Sequence, residues 1–133
     1  MLIMIPCSFG ELIDKLTILE IKQIKLKNTK SIDHVEFEWN QLHSILLANP
    51  LNKEDQEWLE ISQSQLLQVN LQLWNLEVKV RAFEKEQDFG PSFLACARAI
   101  YSGNDLRASL KLKINLKLGS KIVEIKSHDI PDS

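Results

Sequence analysis

The feature that most constrains this fold is the long stretch from Lys53 to Gln87, which contains neither glycine nor proline. Within it, apolar residues recur every seven positions in two companion rows, and this spacing is typical of a helix that packs along one seam. The two rows are Leu59, Leu66, Leu73 and Val80, and Ser62, Val69, Leu76 and Phe83.

A helix of this length is about 50 Å long at 1.5 Å per residue. A compact domain of 133 residues has a radius of gyration of only about 14 Å. The long helix must therefore span an elongated bundle or project to meet another chain, and we expect a homodimer that uses part of it.

The rest of the pattern predicts an all-α fold, mainly a bundle of about five helices around the long one. Ser8 and Glu11 have the spacing of an N-terminal capping box, while Gly119 is a good C-terminal stop. The segment 102–105 reads as a turn with a second cap, so it should divide the last helical region in two. The other helices are expected at about 8–28, 32–48, 92–101 and 105–118.

Two short segments favour β-structure instead. Residues 121–126 alternate and are rich in β-branched side chains, and residues 2–5 are their obvious partner. We therefore allow for a short two-stranded pairing near the ends of a single domain, 1–127, followed by a flexible tail, 128–133.

Composition excludes several classes of protein. Apolar residues make up 44% and charged residues 26% of the chain, which is the ordinary globular balance. The net charge of -2 disfavours a nucleic-acid-binding protein, and no apolar run approaches the length of a membrane span. Cys7 and Cys96 are too few for a disulfide framework, so we expect reduced thiols and a cytoplasmic location.

Metal and cofactor chemistry has no support in the pattern. The three histidines lack ligand spacing on a common helix face, and there is no Gly-rich phosphate loop. We therefore predict no metal site and no cofactor.

Glu20 is a polar residue in an apolar place. On a helical projection of the first helix it falls between Leu16 and Ile13, inside the apolar face, whereas Asp14 falls on a polar flank. A carboxylate in such a place is either paired with an arginine in the core or faces a cleft with a perturbed pKa. Both interpretations remain open.

A mixed row follows the seam of the long helix at steps of three and four residues, so its members share one face. One interpretation is an interhelical hydrogen-bond network that fixes register. The other is a small pocket for an anionic ligand, in which the arginine clamps the anion and the tryptophan forms a stacking wall. The row is Leu67, Asn70, Trp74, Glu77 and Arg81.

A third cluster lies further along the chain. It combines basic side chains with residues that can cap a helix, whose amide end can also bind an anion. Capping with solvated basic residues is the structural interpretation, and a ligand site is the functional one. The cluster is Arg98, Tyr101, Asn104, Asp105, Arg107 and Lys111.

The run from Ser8 to Lys22 resembles the opening signature of an uncharacterised family of short bacterial and phage proteins, a domain of unknown function. The resemblance covers essentially the whole chain, with departures at Phe9, where the family has a small aliphatic residue, and at Val78, where it has an acidic one. It implies no catalytic residue, but the polar residues singled out above coincide with the family's motif. The later matching positions are Asn70, 73–74, Glu77, Arg81, 88–90, 97–98, Tyr101, 104–105 and Arg107.

Two functional hypotheses follow. The first is a non-enzymatic helical binding or assembly module, homodimeric through the long helix. The second is a small-molecule enzyme or a protein that binds an anionic metabolite such as a sugar phosphate, with Glu20, Glu77 and Arg81 in one cleft. The enzyme form also requires Arg98 and Arg107 to converge on that cleft.

Overall fold

Four α-helices make up the part of the chain that the computed structural model describes, residues 1–125. They are α1 (Phe9–Lys25), α2 (Ile32–Leu47), α3 (Lys53–Lys85) and α4 (Pro91–Lys117). The prediction of a mainly helical bundle with one long helix is confirmed, and none of the described helices has the length and hydropathy to cross a membrane.

The helix ends follow the capping signals in the sequence. Ser8 Oγ accepts a hydrogen bond from the Glu11 amide at 3.1 Å, and Asn52 Oδ1 accepts one from the Asp55 amide at 2.8 Å. Each bond satisfies a helix amide that has no partner within the helix. Just after the C-terminal end of α4, Gly119 adopts a positive φ of 66°, which a glycine takes without steric cost.

The predicted break at 102–105 is wrong, because α4 runs through it without interruption. Gly103 is there for close packing rather than for a turn. A Cβ at this position would lie 2.8 Å from Leu73 Cδ2 of α3. A glycine in a helical interior costs about 1 kcal/mol relative to alanine, and here it lets two helices approach.

The terminal β pairing is also wrong for the described residues, which contain no strand. Residues 2–5 and 122–125 are exposed, and side-chain bonds join the two ends of the chain instead. Ser8 Oγ donates to Glu124, and the Phe9 amide donates to Ser120 Oγ at 3.1 Å. Residue 126 and the predicted tail, 128–133, lie outside the described residues.

Helices α3 and α4 form an antiparallel hairpin. Leu73 lies against Gly103, whereas the Cys96 thiol, earlier in α4, donates to the carbonyl oxygen of Leu76, later in α3. Helix α1 packs on both members of the hairpin, and α2 packs on α1. The core cluster of buried apolar side chains is Leu12, Ile13, Leu16, Leu59, Leu66, Val69, Leu73, Leu110 and Ile114.

The apolar seam of the long helix is therefore used within one chain. Leu59 and Leu66 are fully buried in the core cluster, and Leu73 joins them. A homodimer that uses part of the long helix would therefore need a surface of α3 other than these buried residues.

Candidate functional site

The buried carboxylate of Asp14 in α1 connects this helix to α3 and α4. Its side chain is 0% exposed. Oδ1 accepts hydrogen bonds from Arg107 Nε of α4 and from Asn70 Nδ2 of α3, both at 2.9 Å, and Oδ2 accepts from Arg107 Nη2. A buried charge is tolerated only when it is paired and hydrogen-bonded in this way.

The network continues on both sides of Asp14. Asn70 Nδ2 also donates to Thr17 Oγ1 at 2.9 Å, and that hydroxyl donates to the Asp14 carbonyl oxygen. Lys111 Nζ binds Glu11 at 2.6 Å and lies 3.9 Å from Asp14 Oδ2. The hydrogen bonds that Arg107 donates to Asp14 raise the pKa of the guanidinium although burial opposes this shift, so the side chain is held in its charged form.

The helical projection places Asp14 on a polar flank of the first helix, but in the structure its side chain is buried. Glu11 and Asp14 of that flank pair with Lys111 and Arg107 of α4, because α1 packs on the α3–α4 hairpin as well as on α2. The predicted pairing of a core carboxylate with an arginine does occur, but its acid is Asp14 rather than Glu20. Conversely, the apolar side chain of Ile24, near the end of the same helix, is 77% exposed.

A surface pocket of about 450 Å³ opens beside this network, between α1, α3 and α4. Its size lies within the usual range for small-molecule sites, about 300–1,000 Å³. Most of the lining surface is apolar. The lining residues are Ile18, Ile21, Asn70, Leu73, Trp74, Glu77, Val78, Arg81, Asn104 and Arg107.

The polar groups of the pocket retain unused hydrogen-bonding capacity. Arg107 uses two of its five N–H groups on Asp14 and makes no other hydrogen bond within residues 1–125. Asn70 is only 5% exposed and spends its Nδ2 group on Asp14 and Thr17, while its Oδ1 accepts nothing from the described residues. The pocket thus offers a charged donor and a neutral acceptor side by side.

Arg81 and Glu77 form the outer, solvent-facing side of the pocket. Arg81 Nε lies 3.6 Å from Glu77 Oε2, one turn away on α3, and the Arg81 side chain is 81% exposed. An exposed i,i+4 pair stabilises a helix by only about 0.3–0.5 kcal/mol. A ligand can therefore draw Arg81 away from Glu77 at little cost.

Six of the ten predicted site residues line this one pocket, and the α3 row contributes both to the pocket and to a hydrogen-bond network between helices. Asn70 belongs to the network and also lines the pocket, whereas Leu67, at the start of the row, does not line it. The six are Asn70, Trp74, Glu77, Arg81, Asn104 and Arg107.

The other four predicted residues do not line it. Arg98 and Tyr101 are exposed on the first half of α4, and Asp105 is exposed one turn further on. Ser102 and Asp105 cap no helix end, because α4 is continuous there. The functional reading of this cluster is therefore reduced to Asn104 and Arg107.

Glu20 lies elsewhere, on the side of α1 that faces α2. Burial raises the pKa of its carboxyl, and His43 of α2 opposes that shift. His43 in turn stacks on Trp39, with ring centroids 4.4 Å apart. The Nε1 of Trp39 is buried and has no hydrogen-bond partner among the described residues. Glu20 therefore belongs to a different contact and not to the pocket.

A second polar cluster, which the pattern missed apart from Ser8, closes the start of α1. Asn115 Oδ1 accepts from the Gly10 amide at 2.7 Å, and its Nδ2 donates to Glu124 at 2.9 Å. Gly10 is required here, since a Cβ would lie 2.5 Å from the Lys111 carbonyl oxygen. All these bonds are internal, so we regard the cluster as structural.

Among residues 1–125 no group of three or more His, Cys, Asp or Glu side chains is placed to hold a metal ion. In comparisons with known proteins, no family model, no curated protein and no solved structure matched the chain. The function therefore has to be inferred from the chemistry of the pocket.

Proposed function

We propose that this protein is a non-enzymatic helical binding module that holds a small anionic ligand in the pocket between α1, α3 and α4. The observation that carries the proposal is that Arg81, Arg107 and Trp74 line the same pocket. Arginine is the side chain best suited to a planar anion, and an adjacent indole ring provides a broad apolar wall.

The alternative enzymatic reading has less support. It needs five charged groups on one cavity, and two of them, Glu20 and Arg98, are absent from the lining of the pocket. Without them the pocket contains one carboxylate, Glu77, which is half-exposed and engaged with Arg81. We therefore favour binding over catalysis.

A ligand screen tests the proposal. A compound that binds the folded state raises the midpoint of thermal unfolding. A panel of carboxylates, sugar phosphates and nucleotides should contain at least one such compound, and Arg81→Gln should abolish its effect. Arg98→Gln is the matched control, because it removes an exposed arginine outside the pocket and should leave the shift unchanged. A shift that survives Arg81→Gln, or a panel without any shift, contradicts the proposal.

Assembly into a homodimer is a second candidate function, now on a different face from the buried seam. Residues 61–76 of α3 contain no charged side chain, although 26% of the chain is charged. Ile61 and Leu71 are exposed in this stretch. In a two-fold interface a patch meets its own copy, so an uncharged patch avoids repulsion between like charges.

Sedimentation velocity tests the dimer. We expect a dimer at micromolar concentrations and a monomer for Leu71→Glu. Ile24→Glu, an exposed isoleucine on α1, is the matched control and should remain dimeric. A wild-type protein that sediments as a monomer at every concentration contradicts assembly and leaves the ligand proposal standing.

We also propose a cytoplasmic location. Cys7 is exposed and Cys96 is buried, and the two form no disulfide. Free thiols are ordinary in a reducing compartment.

A further inference from the structure

We infer that the ligand is a small carboxylate with a hydroxyl or ammonium group on the adjacent carbon and an apolar body. This inference rests on the proposed function, since it concerns the same pocket. It is carried by three properties of the lining: the pairing of donors with an acceptor, the balance of charge, and the apolar walls.

The donor and the acceptor are adjacent because both residues bind the same atom. Arg107 Nε and Asn70 Nδ2 each lie 2.9 Å from Oδ1 of Asp14. The N–H groups that Arg107 does not spend on Asp14 suit a carboxylate, and Asn70 Oδ1 requires an O–H or N–H donor. A carboxylate with a donor on the next carbon satisfies both groups at once.

The two positive charges at the pocket are balanced by two negative ones. Arg81 and Arg107 are opposed by Glu77 in the lining and by Asp14 directly behind Arg107. A doubly charged phosphate would enter without a compensating excess of positive charge, and burial of unpaired charge is costly. A monoanion or a zwitterion matches this balance better than a sugar phosphate.

The walls set the nature of the rest of the ligand. Ile18 and Ile21 of α1 form one side, and Leu73, Trp74 and Val78 of α3 form the other. None of these side chains can hydrogen-bond a sugar ring except through the indole N–H of Trp74. An aliphatic or aromatic body is therefore favoured.

Titration calorimetry with a matched series of phenyl compounds tests each part of the inference. The probes are 2-hydroxy-3-phenylpropanoate, phenylalanine, 3-phenylpropanoate, 3-phenylpropanol and glucose 6-phosphate. We expect the first or the second to bind most tightly, and the preference between them identifies hydroxyl or ammonium as the donor. The compound without a donor, 3-phenylpropanoate, should bind about tenfold more weakly because Asn70 Oδ1 is left unpaired. The alcohol and the sugar phosphate should bind at least tenfold more weakly still.

One variant in the pocket wall and one outside the pocket localise the binding without disturbing the buried network. Val78→Asp introduces a negative charge beside the apolar wall and should weaken binding of the best probe by at least tenfold. Leu94→Asp, an exposed apolar residue on α4 outside the pocket, is its control and should leave the affinity unchanged.

The outcomes separate this inference from the proposed function. Binding of glucose 6-phosphate but not of the phenyl carboxylates, with loss in Arg81→Gln, overturns the ligand class and keeps the anion pocket. Equal affinities for 3-phenylpropanoate and its 2-hydroxy analogue overturn the role of Asn70. If no probe binds and the wider panel is also silent, both proposals fail together.

Discussion

Replacing Arg107 by alanine removes the main partner of Asp14 and should destabilise the fold more than any other single loss of charge in the described chain. The buried carboxylate would keep Asn70 and the distant Lys111 amine, 3.9 Å away, but would lose a two-point ion pair. Breaking a buried pair in this way typically costs about 3–5 kcal/mol. Since the Arg107 side chain is 31% exposed, water can replace part of the lost solvation, and we expect about 3 kcal/mol.

That loss is a large share of a total stability of about 5–15 kcal/mol. Urea unfolding followed by circular dichroism measures it as a fall in the midpoint at constant slope. Arg81→Ala is the control, because its pair with Glu77 is exposed and should contribute less than about 0.5 kcal/mol. A double-mutant cycle with Asp14→Ala should give a coupling energy of at least about 2 kcal/mol between the two residues. If Arg107→Ala costs no more than Arg81→Ala, the carboxylate is not held as described.

Three further predictions concern the start of α1 and the α1–α2 contact. Gly10→Ala would place a Cβ 2.5 Å from a backbone oxygen of α4, and this overpacking should lower the free energy of unfolding by about 2 kcal/mol. Gly90→Ala is the control, because the nearest contact of its Cβ would be a side-chain atom at 3.4 Å. Equal losses of stability in the two variants would refute the close approach at Gly10. Burial raises the pKa of Glu20, so the fold favours the protonated carboxyl. The contribution of Glu20 to the free energy of unfolding is therefore fully present below about pH 4.3 and is lost as the pH rises through the folded-state pKa. Glu20→Gln should therefore raise the melting temperature at pH 7 and lose this advantage at pH 4, and a variant that melts below wild type at pH 7 contradicts the assignment. Burial tends to raise the pKa of Glu124 as well, but hydrogen bonds from Ser8 and Asn115 outweigh burial and lower this pKa. The contribution of Glu124 to the free energy of unfolding is therefore present above about pH 4.3 and is lost as the pH falls through the lowered pKa. Glu124→Ala should lower the melting temperature at pH 7 but not in strong acid, whereas the same deficit at both pH values would show that the carboxylate charge is irrelevant.

The helices could be predicted because their signals are local. The seven-residue repeat of α3, the cap at Ser8 and the stop at Gly119 each depend on residues within a few positions of one another. The division of α4 failed for the opposite reason. Glycine is typical of turns, so Gly103 suggested a break between two helices. Its place inside a helix is explained by close contact with Leu73, which lies thirty residues earlier in α3.

The pocket could be predicted in part. The row of Asn70, Trp74, Glu77 and Arg81 shares a helix face by spacing alone, so its members were bound to lie together. Asp14 was missed because a helical projection assumes that a helix buries one apolar face. Helix α1 instead packs against three other helices, so more than one of its faces is buried. The sequence does contain the relevant signal, which is an acidic residue beside apolar residues on one helix and arginines on another. It does not show which acidic residue and which arginine come together in the fold.

The position of Asp14 also bears on which topology the chain selects. An antiparallel pair of helices has two faces, and a third amphipathic helix can lie on either of them with similar apolar contact. Only one face of the α3–α4 pair presents Asn70 and Arg107 together, because both donate to a single oxygen of Asp14. Docking α1 on the opposite face, or one turn out of step, would bury the Asp14 carboxylate without the two partners that Asn70 and Arg107 provide. Asn70 and Arg107, two of the side chains that line the pocket, thereby disfavour the alternative arrangement of the bundle.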